Sequence, residues 1–123
     1  KKINAYNVII RTFEILEEKT KGNPVQAVVD AIEAASPREG ITTIEYGGVR
    51  YPRSVDLSPQ KRIDLALRWL TQGAYDKMVK SKGKKRIEQT LAEQILATIN
   101  YDQQASFAYS KKYDLERQAK AAR

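Results

Sequence analysis

Apolar residues recur every three or four positions over residues 3–20. Tyr6, Ile9, Ile10, Phe13 and Leu16 fall on one stripe, with Arg11, Glu14, Glu17 and Glu18 off it. That period predicts an amphipathic helix, ended by Gly22. Asn23-Pro24 opens the next helix: Asn suits the N-cap, Pro the first helical position, and Gln26 stands where a capping-box partner would. Val25, Val28, Val29 and Ile32 give this second helix its expected buried face, up to Ser36-Pro37. Both stripes are read as core packing.

The period shortens at Gly40. Residues 41–46 and 49–57 are rich in Thr, Ile, Val and Tyr and are separated by Gly47-Gly48, which predicts a β-hairpin over about 41–57. A two-residue turn sets Tyr46 opposite Val49, Glu45 opposite Arg50 and Ile44 opposite Tyr51. One face then carries Ile44, Tyr46, Val49, Tyr51 and Arg53, and the other Thr43, Glu45, Arg50 and Pro52. Pro52 lacks a backbone donor and marks an edge strand. Two strands alone are marginal in water. Either the helices cover the apolar face, or the ribbon projects and lays its Arg and Tyr side chains on a partner, as paired strands do in nucleic-acid grooves.

Helical spacing then returns. Ser58-Pro59 repeats the cap-and-proline start, and a helix over 59 to about 79 is expected to bury Ile63, Leu67, Leu70, Ala74 and Met78. A basic loop around Gly83 leads to a helix over about 86–100 with Ile87, Leu91, Ile95 and Ile99 inside, and a last helix covers about 104–122. The layout is one domain over 1–123, mainly α, with five helices and a two-stranded β-hairpin. Trp69 could stack on a base, but a lone Trp in an amphipathic helix is more often core, and it is read, like the pair Tyr109 and Tyr113, as a packing residue. Asp114 and Glu116, two apart on a helix, do not face each other.

Composition narrows the chemistry. The 123 residues are 41% hydrophobic and 30% charged, the profile of an ordinary folded domain. No apolar run approaches the roughly 18 residues of a membrane span, and no secretory pattern opens the chain. There is no Cys and no His, which removes disulfides, thiolate metal sites, the commonest general base and every His-containing triad. No phosphate-binding glycine loop, dinucleotide fingerprint or calcium loop is present. An enzyme, a metal and a cofactor are therefore not expected.

Charge changes the picture more. Residues 50–86 hold 11 Lys/Arg against Asp56, Asp64 and Asp76, a net of +8 in a chain of net +7. Like charges crowded together repel, so such a concentration points to an anionic partner, most often nucleic acid. It also falls where helix physics disfavours it. Lys61 and Arg62 occupy the first turn after Ser58-Pro59, and Lys84, Lys85 and Arg86 stand where the next helix begins. A helix N-terminus prefers acidic side chains, and a docked phosphate would reverse the penalty. Lys61, Arg68 and Gln72 share a stripe away from the apolar one, and Lys111-Lys112 offer a further phosphate contact or a solvated face.

The run GGVRYPRSVDLSPQKRIDLALRW from Gly47, with its Gly-Gly, Tyr51, Val55-Asp56-Leu57, Pro59, Arg62 and Leu67-Arg68-Trp69, resembles the small-subunit ribosomal protein seven family. KKYDLERQAKAAR at 111–123 looks like that family's last helix, and NPVQAVVDAI at 23–32 is closest to its archaeal and eukaryotic branch. The resemblance covers about residues 3–123. It implies a six-helix bundle with a protruding β-ribbon that binds small-subunit rRNA, nucleates assembly of the head, and holds its ribbon near the exit-site tRNA and the mRNA path. The family normally has another helix and a basic arm before the position of Lys1, so five helices are expected here. Neighbouring head proteins become partners, the location becomes the cytoplasmic ribosome, and no membrane or small-molecule substrate is involved.

Carried over residue by residue, the resemblance makes Arg50 and Arg53 ribbon contacts and puts Lys61, Arg62 and Arg68 on the RNA surface, where Gln72 of the same stripe joins them as a candidate contact. Lys80, Lys82, Lys84, Lys85, Arg86, Lys111 and Lys112 would touch phosphates, and Lys1, Lys2 and Arg38 complete the set. Two other readings stand beside it. A DNA-bending protein with a β-arm would insert an apolar wedge at the tip, and Gly47-Gly48 offers none. A helical adaptor for an acidic protein would lose RNA but not protein binding when Lys84, Lys85 and Arg86 are neutralised.

Overall fold

The computed structural model describes residues 2–102 and 104–122. Among these, five helices and one hairpin follow in the order α1 (Lys2–Thr20), α2 (Pro24–Ala35), β1 (Glu39–Tyr46), β2 (Val49–Asp56), α3 (Pro59–Lys80), α4 (Ile87–Ile99) and α5 (Phe107–Ala121). The expected mainly α bundle with a two-stranded hairpin is what forms. Helix α4 is the axle, touching all four other helices, and one apolar cluster drawn from Leu16, Ala31, Leu70, Ile95 and Ala108 joins the five.

The capping grammar holds with two changes. Asn23 accepts from the Val25 N–H at 3.0 Å, and Ser58 from the Lys61 N–H at 3.3 Å. Gln26 does not close a capping box; its amide donates instead to Asp30 at 2.9 Å, one turn along the helix. Gly22 does not make the turn that ends α1: Lys21, one residue earlier, takes the left-handed conformation at φ 54°. The last helix starts at Phe107 rather than near 104, because Ser106 caps it by accepting the Tyr109 N–H at 3.1 Å.

The buried faces of three helices differ from the sequence expectation. In α2 the interior is Ala27, Ala31, Ala34 and Ala35, while Val25 and Val29 are exposed. In α3 it is Ala66, Leu70, Gly73 and Ala74, while Ile63 and Leu67 are exposed and Met78 is half-buried. The reason is close approach. A Cβ on Gly73 would stand 2.6 Å from the Phe107 Cβ and 2.8 Å from the Gln94 Oε1, so only glycine lets α3 meet α4 and α5 at this distance. In α1, Leu16 is buried and Phe13 partly so, but Tyr6 is 68% exposed and Ile9 and Ile10 lie open as well. Nineteen residues of α1 span about 28 Å against about 20 Å for α4, so its first turns overhang the core.

Helix α4 keeps its expected apolar stripe: Leu91 and Ile95 are buried, with Ile87 and Ile99 packed beside them. The polar residues it also buries were not legible. Gln94 donates to the Ala105 carbonyl at 2.9 Å and accepts the Phe107 N–H at 3.0 Å. The Thr98 and Ser106 hydroxyls share a hydrogen bond of 2.6 Å. This network ties the start of α5 to the middle of α4, and no buried side-chain polar atom among the described residues lacks a partner.

Candidate nucleic-acid interface

The hairpin forms in the predicted register, with Tyr46 opposite Val49, Glu45 opposite Arg50 and Ile44 opposite Tyr51. Gly47 at φ 58° and Gly48 at φ 81° supply the two left-handed positions that a tight hairpin turn of matching twist requires. Strand β1 begins two residues before the expected start. The base of the ribbon rests on α5, where Glu116 accepts the Arg38 N–H at 3.1 Å. Every residue from 42 to 53 is exposed. No helix covers the apolar face; the ribbon is an arm.

The predicted contact residues fall into four groups. Arg50 and Arg53 lie on opposite faces of the arm. Lys61, Arg68 and Gln72 are exposed on α3, as their shared stripe requires. Lys80, Lys82, Lys84, Lys85 and Arg86 follow at the end of α3 and in the loop to α4, all exposed, with Lys82 at φ 55°. Lys77, not singled out from the sequence, lines a depression of about 230 Å³ with Lys80 and the start of α5. Its signal was there: it stands one turn before Lys80 on the same helix.

The fourth group is gathered from distant sequence. Arg38, Arg62 and Lys112 line one open cavity of about 700 Å³ together with Asp30, Glu33 and Tyr101. Two of its cations are already engaged. Arg62 Nε donates to the Pro37 carbonyl at 3.1 Å. Lys112 Nζ donates to the Ala34 carbonyl at 3.0 Å, in the last turn of α2, and lies 5.9 Å above the Tyr109 ring. Lys111 sits 5.4 Å over Phe107. Lys2 is exposed in the first turn of α1, and Lys1 lies outside the described residues. Trp69 is half-buried against the core and Tyr109 meets Tyr101 edge-on at 5.7 Å, both packing residues as expected. Tyr113 is instead exposed, on the outer side of α5.

The two helix starts are not equivalent. The first turn of α3 has no acidic residue, and Lys61 stands there exposed. At α4, however, Lys84 and Lys85 precede the cap, Arg86 caps without a side-chain bond, and the buried Glu88 provides the carboxylate that the dipole favours. Glu88 also meets Arg11 at 3.4 Å, and Lys85 pairs with Glu93 at 3.1 Å. Only the α3 start therefore carries an uncompensated violation.

Among the described residues just three ion pairs form, Arg11–Glu88, Lys85–Glu93 and Arg117–Asp114. Arg50, Arg53, Lys61, Arg68, Lys80, Lys82, Lys84 and Arg86 belong to none of them. These cations keep their attraction for an external anion. Among the same residues no group of carboxylates is arranged to hold a metal ion.

The sequence pattern of the Ribosomal protein S7p/S5e family matches residues 1–123. The chain belongs to that family. Its S7p/S5e relatives include the "Small ribosomal subunit protein uS7" of Nanoarchaeum equitans, 50% identical over all 123 residues and 61% of that protein. The protein of the same name from Archaeoglobus fulgidus is 48% identical over the whole chain and 62% of its own length. That of Methanothermobacter thermautotrophicus is 47% identical over 122 residues, 64% of its length. The chain thus spans a little over three fifths of the relatives it matches. All three are archaeal, in keeping with the branch its second-helix motif resembles.

Proposed function

We propose that this chain is the rRNA-binding body of a small-ribosomal-subunit protein, a structural component of the cytoplasmic ribosome rather than an enzyme. It grips folded RNA of the head domain through the loop between α3 and α4 and the outer stripe of α3, and it reaches with the hairpin toward the exit-site tRNA and the mRNA path. Residues 1–123 act as a single binding unit, with neighbouring head proteins docking around it. The observation that carries this reading is the set of eight cations on the arm, α3 and the basic loop that belong to no ion pair among the described residues. The family and the names of its relatives agree with it, and neither the DNA-bending nor the adaptor reading gains support from those names. No described helix is long and apolar enough to cross a membrane.

Specificity comes from RNA shape, because the narrow major groove of an A-form helix hides its bases from side chains. The test is binding to a folded head-domain rRNA fragment, with unrelated RNA and duplex DNA as competitors, across salt. Tighter binding to the fragment is expected. Equal affinity for all three sinks the reading.

A further inference from the structure

We infer that one face of the hairpin, built on Tyr46, Tyr51 and Arg53, stacks on unpaired bases of single-stranded RNA, while the other face is turned away from it. This rests on the RNA-binding reading above and adds which side of the arm is used and by what chemistry. The pairing register puts Gly40, Thr42, Ile44 and Tyr46 on the same side as Val49, Tyr51, Arg53 and Val55. The opposite side carries Glu39, Ile41, Thr43 and Glu45 with Arg50, Pro52, Ser54 and Asp56. Glu45 and Asp56 fall on the second side against one arginine, a net of −1, and Glu39, which accepts the Ser54 hydroxyl, lies on that side as well. The tyrosine side has no carboxylate and one guanidinium, a net of +1. A polyanion is therefore drawn to one face and repelled from the other.

The favoured face also has the right surface. Ile44 stands opposite Tyr51 and Tyr46 opposite Val49, close enough for each pair to pack side by side into a continuous apolar plateau. Ile44, Tyr46, Tyr51 and Arg53 border a shallow depression of about 300 Å³. Tyr46 is 79% exposed and Tyr51 51%. Flat aromatic rings beside an arginine are the surface on which bases stack, independently of their sequence. A duplex makes a poorer partner, since it presents a dense row of phosphates and this face offers a single cation. Unpaired bases fit, because stacking asks for rings more than for charge.

The probe is a single-stranded RNA of about twelve nucleotides with 2-aminopurine at its centre, compared with the same strand in a duplex. It is titrated with the full chain, with Tyr46→Phe/Tyr51→Phe and with Tyr46→Leu/Tyr51→Leu. The wild type is expected to bind the single strand and quench 2-aminopurine. The phenylalanine variant should stay within about twofold, since its rings still stack, and the leucine variant should lose on the order of tenfold or more with the salt slope unchanged. These side chains are exposed, so thermal unfolding should be the same for all three. Leucine binding as well as tyrosine, or no quenching by the wild type, overturns the inference. So does self-association of the wild type in sedimentation that the leucine variant loses, which assigns the face to a second copy. The same proteins are run on the head-domain rRNA fragment beside Lys84→Gln. If only the lysine change weakens binding there and the oligonucleotide ignores tyrosine, stacking fails and the ribosomal reading stands. If the fragment is not preferred, the ribosomal reading fails and the oligonucleotide result still decides the stacking.

Discussion

Lys82 occupies a backbone conformation that glycine adopts without strain, directly before Gly83 and in the middle of the basic loop. A lysine held at φ 55° costs about 1 kcal/mol relative to glycine at a helix C-terminus. Lys82→Gly is therefore expected to raise the thermal midpoint while lowering the salt slope of RNA binding by roughly one unit or a little less. Calorimetry and salt titration measure the two effects on the same sample. A rise in stability with undiminished binding would mean that Lys82 is kept for neither purpose. The neighbours Lys61 and Arg62 separate in the same way. From the sequence they form one basic pair at a helix start, but Arg62 Nε is bonded to the Pro37 carbonyl and Lys61 is in solvent. Lys61→Gln should leave stability unchanged or slightly raised and weaken RNA binding, whereas Arg62→Gln should cost about 1 kcal/mol of stability, read from chemical denaturation. Equal stability losses for both would show the two residues to be structural alike.

At the scale of elements, the hairpin register was legible because two adjacent glycines mark a two-residue turn, and that loop length dictates every cross-strand pair. Helix existence was legible for a similar reason, from the Asn-Pro and Ser-Pro starts. The helix faces were not. A valine or isoleucine stripe attracts the eye on any hydrophobicity scale, but backbones approach most closely along small residues. Ala31, Ala66 and Gly73 thus define the interior while Val29 and Ile63 look outward. The buried polar residues escaped for the complementary reason. Gln94 reads as a surface residue until α5 is placed, and only then does it prove to serve two backbone groups at the start of that helix. Of the site, the stripe on α3 and the loop were legible as local patterns. The gathering of Arg38, Arg62 and Lys112 around one cavity was not, since it joins three elements far apart in the chain. Gln94→Ala is expected to cost about 2 to 4 kcal/mol by stranding the Ala105 carbonyl and the Phe107 N–H. Its effect should show as faster amide exchange in the first turns of α5 before α3 or α4 is affected. A loss below about 0.5 kcal/mol would mean that water replaces the side chain without penalty.

For the molecule as a whole, the proposed RNA binding predicts an affinity set by electrostatics and a selectivity set by geometry. Eight cations lie outside any ion pair among the described residues, and each phosphate contact contributes roughly 0.7 to 0.9 to the log–log salt slope. With Arg50 on the face turned away, engagement of the other seven on the arm, α3 and the loop predicts a slope between roughly −5 and −6 on the head-domain fragment. A slope shallower than about −3 would mean that fewer than half of these cations meet phosphate at once. The same arithmetic ranks variants, because neutralising Lys84 removes a contact whereas neutralising Lys85 first breaks its pair with Glu93.

The arm's isolation has a cost in preorganisation. Eight residue pairs hold it together and no helix lies across its outer half, so it is expected to open and close independently of the bundle. Whatever fraction of time it spends closed multiplies directly into its apparent affinity for a partner. Gly47→Asn places Asn-Gly, the strongest sequence for this turn, at the tip. It is expected to slow amide exchange over residues 42–53 and to tighten binding to single-stranded RNA without adding a contact. Unchanged exchange would mean that the free arm is already fully closed, and that all of its binding energy is spent on the partner.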